Sequence, residues 1–202
     1  MHFIVTGADH ISNSSLRRER YIEYMLSLHR IFSYGIPVFG VLSEFEQAEN
    51  TPPFSKFPFT YLKTLPRGAL TNQQKSQAEF ASIKTLIKEI PEISDDEFIL
   101  KIVGRYMLVN DDFVHLVKKH ETNPQVDAII CEIDNQQRTF LYAMRYKYFK
   151  QLHSKPMIPA GVNIEKITLE FIKSVGIYEK TLKVQSLGIL ANTNNENDFA
   201  VC

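Results

Sequence analysis

The chain has 202 residues, 44% of them hydrophobic, and its 23 Lys+Arg balance 23 Asp+Glu for a formal net charge of +0. That length suits one domain with a sizeable core, and the balanced charge leaves no global field to draw the protein to nucleic acid or to an anionic membrane. The two cysteines, Cys131 in an apolar run and Cys202 at the end, form neither a disulfide framework nor a metal-ligand spacing, which fits a reducing compartment.

The opening MHFIVTGADH enters a short apolar run without the basic start and long apolar stretch of a signal peptide. No window approaches the roughly 18 apolar residues of a membrane span, so the chain reads as soluble and cytoplasmic. Phe3 to Thr6 is a β-rich run closed by Gly7, and Ser12 to Ser15 supply capping residues before a long helical pattern. In that helix Tyr21, Tyr24, Met25, Leu28, Ile31 and Phe32 recur at spacings of three and four until Gly35. Pro37 to Leu42 is nearly all apolar, as a strand covered on both faces should be, and Ser43 and Glu44 follow at its carboxyl end.

Prolines at 52, 53, 58 and 66 make the next stretch a loop with a short strand near Phe59 to Leu62. Helical periodicity resumes over Asn72 to Ile90 and stops at Pro91, and Glu97 to Val103 is a second buried-strand candidate followed by Gly104 and Arg105. Asn110, Asp111 and Asp112 can cap a helix from about Phe113 to His120. Asp127 to Cys131 and Thr139 to Met144 read as strands joined by a polar connector, Asp134 to Gln137. Helices over Arg145 to Leu152 and Ile164 to Val175 follow, and the polar tail from about Asn192 is expected to be mobile. The whole is one α/β domain over residues 1–202, an open mixed sheet flanked by helices.

In such sheets ligands sit at the carboxyl ends of the strands. The rule selects Thr6 to Asp9, Ser43 and Glu44, Gly104 to Tyr106, and Glu132 to Asp134. No G-x-G-x-x-G, G-x-x-x-x-G-K-[ST], G-x-S-x-G or H-E-x-x-H occurs, so the usual signatures of dinucleotide oxidoreductases, P-loop NTPases, nucleophile-elbow hydrolases and zinc peptidases are missing.

Arg105 puts a permanent cation where a ligand phosphate could lie, the alternative being an ion pair with Glu97 or Asp112. Lys75 and Glu79 stand at i,i+4, the spacing of a solvated helix pair. Asp95, Asp96, Asp111 and Asp112 look like paired carboxylates but occupy turn and cap positions. Tyr142, Arg145, Tyr146, Tyr148 and Phe149 could stack on an acceptor sugar or pack in the core.

Together FIVTG, the Arg-rich first helix with Arg18 and Tyr21, the strand ending in Glu44, NQQKSQAE and DDEFILKIVGRYMLVNDDF resemble a group of small bacterial and viral GT-A-like glycosyltransferases over roughly the first 150 residues. Lys101, Ile102, Gly104, Arg105, Tyr106 and Leu108 match that group's K-[IL]-x-G-R-Y-x-L signature, and Lys75 and Glu79 match a K-G-x-x-E-like element in which Ser76 replaces glycine. The resemblance implies a GT-A-like fold and transfer of a sugar from a nucleotide-sugar donor to a glycan or other hydroxyl acceptor. Donor-binding residues would be Thr6, Gly7, Ala8, Arg18, Glu44, Lys75, Glu79 and Arg105.

The alternative is a non-catalytic nucleotide- or sugar-binding module of the same fold. A GT-A enzyme normally holds the diphosphate through a metal on D-x-D, where this sequence has Gly104-Arg105-Tyr106. Arginine can neutralise a leaving diphosphate directly, and Glu132-Ile133-Asp134 is the alternative, a divalent-metal site. For an inverting transfer the general base would be Glu165 at the start of its helix, in preference to Glu170, the other role of an acid there being to complement the helix dipole.

Overall fold

The computed structural model describes residues 1–8, 14–44, 53–66, 72–133, 136–155, 164–186, 188–192 and 199–201. Its first four strands are parallel: β1 (His2–Ala8), β2 (Val38–Glu44), β3 (Tyr61–Pro66) and β4 (Phe98–Val103). Helices α1 (Ser14–Phe32) and α2 (Asn72–Ile87) connect them, together with a short 3-10 helix, Pro53–Lys56. α3 (Asp112–Lys119) precedes β6 (Ala128–Ile133) and β7 (Gln136–Arg145), with β5 (Met107–Leu108) just before it. α4 (Tyr146–Ser154), α5 (Ile164–Ser174) and the strands β8 (Thr181–Val184), β9 (Ile189–Asn192) and β10 (Phe199–Val201) complete the chain.

The main sheet has seven strands in the order β3-β2-β1-β4-β7-β6-β8, with β7 antiparallel to both neighbours; a second sheet has the order β10-β9-β5. Strand alternation sorts the core into two layers. Phe3 and Val5 of β1, with Phe98, Leu100 and Ile102 of β4, face α1 and α3 through Tyr24, Leu28, Ile31, Phe113 and Val117. Ile4 and Ile99 face the other way, onto Phe80, Ile83 and Leu86 of α2, Phe149 and Leu152 of α4, and Phe171 and Ile172 of α5.

The expected strands and helices form, with shifted ends. The third strand lies at Tyr61–Pro66 because it continues the ladder with β2, from Phe39↔Tyr61 to Glu44↔Pro66. Gln136 and Gln137, expected in a connector, belong to β7 opposite Ile133 and Glu132. Of the tail expected from about Asn192, residues 193–198 lie outside the described residues; Asn192 ends β9 opposite Phe199 of β10.

The aromatic and basic cluster is core. Tyr142, Tyr146 and Phe149 are buried, and Arg145, also buried, donates to the carbonyls of Asp96, His120, Glu121, Asn123 and Val126 with its guanidinium over the Phe98 ring. A buried cation so fully satisfied ties the α3–β6 connection to β7. Asp95 and Asp96 form the turn expected of them, and their carboxylates pair with Lys150 and Lys147. Asp111 precedes α3 but makes no cap bond; its carboxylate accepts from Arg30 and Tyr34 of the α1 end.

Candidate functional site

The strand order reverses at β1: β2 and β3 lie on one side of it and β4 on the other, while α1 and α2 cover opposite faces. A crevice outside the carboxyl ends of β1 and β4 follows from that topology. Thr6 pairs in register with Val103, and the Gly104 N–H donates to the Thr6 carbonyl at 2.8 Å, so the two strand ends finish side by side.

Alternation decides what each strand end presents. Gly7 and Gly104 face α1, where the Phe54 ring from the 3-10 helix lies over both: a Cβ on Gly7 would stand 2.5 Å from Phe54 Cζ, and one on Gly104 3.1 Å from it and 2.9 Å from Val5 Cγ1. Phe54 is fully buried, edge-on to Tyr24 and stacked on Phe59. Gly7→Ala is therefore expected to destabilise the protein by about 1–3 kcal/mol, the usual cost of overpacking. A urea midpoint equal to wild type would show that the ring yields without cost.

On the opposite face Thr6 and Lys101 meet Glu79, which α2 carries one residue before Phe80. Thr6 Oγ1 donates to Glu79 Oε1 at 2.6 Å, and Lys101 Nζ stands 2.6 Å from the same oxygen. The Lys101 side chain is 2% exposed and that of Glu79 23%. Burial alone would push the Glu79 carboxyl up, but the Lys101 ammonium, the Thr6 hydroxyl and the Arg105 charge outweigh it and hold the group below its ordinary range.

Below the pair, Lys101 Nζ lies 6.0 Å from the Tyr142 ring centroid, and Tyr142 Oη is 3.3 Å from His153 Nε2. Burial, reinforced by Lys101, lowers His153 to about 3, so that imidazole stays neutral.

Arg105 follows in the turn after β4. Its Nη2 donates to Tyr106 Oη at 2.9 Å and its guanidinium lies over the Tyr106 ring. Ser27 of α1 donates to the Tyr106 carbonyl at 2.7 Å, and β5 continues at once into the second sheet, Leu108 pairing with Ile189. The turn is thereby anchored on two sides. Glu97, one of the acids considered as a partner for Arg105, is at the amino end of β4 against His2, so that pairing is ruled out by position.

The structure thus brings Thr6, Gly7, Glu79 and Arg105 to one place. It adds Lys101, which was noted only as part of a motif. Glu79, expected to face Lys75 as a solvated i,i+4 pair, instead turns inward to Lys101. Ala8 ends β1 beside Ser43, and Glu44 ends β2; Arg18 lies in α1, Lys75 in α2 and Glu165 in α5. The side chains of Ala8, Arg18, Glu44, Lys75 and Glu165 lie outside the described residues.

The residues described after β4 do not fit a divalent cation. Arg105 occupies that turn, and among the described residues no three His, Cys, Asp or Glu side chains group to hold a metal ion. Glu132, in the alternative triplet, lies 3.3 Å from Lys183, and Asp134 is outside the described residues. No described helix is long and apolar enough to cross a membrane.

No protein-family model matches the chain, and no curated protein matches it by sequence. Solved structures do match. The mannosyltransferase PcManGT of Pyrobaculum calidifontis, in complex with GDP-Man and Mn2+, aligns with a TM-score of 0.60 at 11% identity, over 97% of this chain and 58% of that one. The bifunctional IspDF of Campylobacter jejuni gives 0.55 at 13% identity, over 91% and 49%. The 4-diphosphocytidyl-2C-methyl-D-erythritol synthase of Anaerococcus prevotii gives 0.52 at 12%, over 91% and 88%. The chain therefore spans 58% and 49% of the lengths of the first two. Identities of 10–13% speak to architecture alone, and the architecture is that of the GT-A-like nucleotide-diphospho-sugar transferases.

Proposed function

We propose that the protein is a nucleotide-sugar-dependent glycosyltransferase acting on a glycan or other hydroxyl acceptor. The observation that carries this reading is Arg105, a permanent cation anchored on Tyr106 at the carboxyl end of β4, beside the β1–β4 crevice of this fold. A guanidinium matches a diphosphate in charge and in bidentate geometry, and it can neutralise the diphosphate as a leaving group. In the transfer the bond from the anomeric carbon to the phosphate oxygen breaks, a bond to the acceptor oxygen forms, and the acceptor's proton passes to a carboxylate, for which Glu165 is the candidate. The strand ends at Thr6 to Ala8 and at Glu44 would flank the base or ribose, since a carboxylate suits a sugar hydroxyl or ring N–H. Arg18 and Lys75 would add positive charge from α1 and α2.

Two members of the fold that transfer different groups, a mannosyltransferase and a diphosphocytidyl synthase, resemble the chain comparably. The segment between Gly7 and Ser14 favours sugar transfer, because it contains neither the glycines nor the arginine of a nucleotidyltransferase loop.

Melting temperature against a panel of nucleotide sugars tests binding, since a ligand of the folded state raises it. Slow hydrolysis or transfer of the donor that binds separates an enzyme from a binding module. Arg105→Ala is expected to weaken nucleoside diphosphate binding by about tenfold to a hundredfold, the scale of a charged hydrogen bond, while nucleoside binding changes little. Equal loss for both ligands would remove Arg105 from the phosphate site.

A further inference from the structure

Resting on the nucleotide-sugar reading, we infer that Oε2 of Glu79 accepts a hydroxyl of a sugar ring lying next to the diphosphate at Arg105. Both local donors converge on the other oxygen: Thr6 Oγ1 and Lys101 Nζ each lie 2.6 Å from Oε1, and Oε2 has no partner among the described residues. The exposure is asymmetric in the same sense. Lys101 is sealed at 2%, while the Glu79 side chain keeps 23% of its surface exposed.

A carboxylate with one oxygen held by two donors and no described donor on the other is a strong acceptor for a ligand's hydroxyl. Its neighbour decides what that ligand is. Arg105 follows Gly104, whose N–H donates to the carbonyl of the same Thr6 that donates to Glu79, so the end of β4 presents a cation and a fixed anion together. A bare phosphate gains from the first and is repelled by the second. A molecule that carries hydroxyl donors a short distance from a diphosphate gains from both.

Glu79 is also unsuited to take the proton outright. The ammonium at 2.6 Å keeps the carboxylate ionised, which makes it a weak base and a good hydrogen-bond acceptor. It is a specificity residue in this reading, and Lys101 a positioning residue beneath it.

The hydroxyl could belong to the ribose or to the transferred hexose, and calorimetry on the full chain separates the two. The probes are whichever of ADP, CDP, GDP and UDP binds tightest, its 2′,3′-dideoxy form, and its glucose and mannose conjugates. Glu79→Gln, which keeps the shape and removes the charge, is expected to cost about tenfold or more on every probe that carries the contacted hydroxyl.

Loss confined to a hexose conjugate assigns the hexose. Loss on the diphosphate and its conjugates, but not on the dideoxy form, assigns the ribose. An equal change on all probes, or none, overturns the inference. Because a buried ammonium facing Gln can destabilise the fold, Glu79→Gln/Lys101→Met, with both charges removed, is measured in parallel and must show the same discrimination. Failure of the underlying reading looks different: no probe binds wild type, or Arg105→Ala leaves the diphosphate preference intact, and then the hydroxyl contact falls with it.

Discussion

Lys101→Met is expected to destabilise the protein by about 3–5 kcal/mol, the usual consequence of leaving one member of a buried ion pair without the other. The remaining exposure of Glu79 places the value toward the lower end. The pH dependence is more diagnostic than the magnitude. In wild type the Glu79 carboxyl lies below its ordinary value of 4.5, so the pair's contribution is present above that pH and is lost as pH falls through the folded value. Without the ammonium, burial is the dominant influence and raises the carboxyl. The variant then holds its stability in acid and loses it as pH rises through the raised value, the reverse of wild type.

Arg105 still acts on Glu79, but its influence on that carboxyl is the weakest of those named and smaller than that of burial. Thr6 is neutral, Tyr142 is raised by burial, and His153 at about 3 is uncharged throughout this window. Urea unfolding between about pH 4 and pH 8 reads the inversion. Lys101→Met/Glu79→Gln should recover much of the loss, because replacing both partners removes the uncompensated charge. A single variant whose stability rises with pH as wild type does would show that Lys101 is not what holds Glu79 ionised.

The same pair shows how far the sequence could be read. Runs such as FIVTG, PVFGVL and EFILKIV announce strands covered on both faces, and the helices between them have periodic apolar stripes and capping residues, so the alternating architecture was legible. The carboxyl-end rule then led to Thr6, Gly7 and Arg105, because topology and not side-chain detail decides which strand ends meet. What could not be read was partnership. An i,i+4 Lys75–Glu79 spacing is indistinguishable in sequence from any solvated pair, and only the packing of α2 onto β1 and β4 turns Glu79 inward.

One signal was available: a lysine inside EFILKIV must be buried in that strand, and a buried ammonium requires an acid. The strands β5, β8 and β9 escaped for a different reason. At two to four residues they are too short to display a period, and their pairing is with distant segments, Met107 with Leu190 and Ala128 with Thr181. For Arg145 the sequence leaves a sugar-stacking cluster and core packing both open, because its five acceptors are backbone carbonyls, which composition does not reveal.

Glu165→Gln is expected to reduce sugar transfer by about a hundredfold or more while leaving folding and donor binding nearly unchanged, the scale on which loss of a general base is felt. An inverting transfer needs a carboxylate that can accept a proton, and Glu79 is disqualified by the ammonium at 2.6 Å. Glu132 lies against Lys183, and Glu170 is exposed beside Lys166. Glu165 opens α5, whose far end leads through a 3-10 turn to Thr181, opposite Ala128 at the amino end of β6. The first turn of α5 is therefore a helix length, about 16 Å, from that end of the sheet, which supports a place for Glu165 toward the carboxyl ends where the donor would lie. An acid in a first helical turn also stabilises the helix through its dipole, typically by about 0.3–1 kcal/mol, so a purely structural Glu165 would shift the melting temperature slightly and leave the rate alone. The two roles separate cleanly when kcat and donor affinity are measured on the same preparation. A variant with normal turnover removes Glu165 from the mechanism and points to a retaining transfer, which does not require a base at that position.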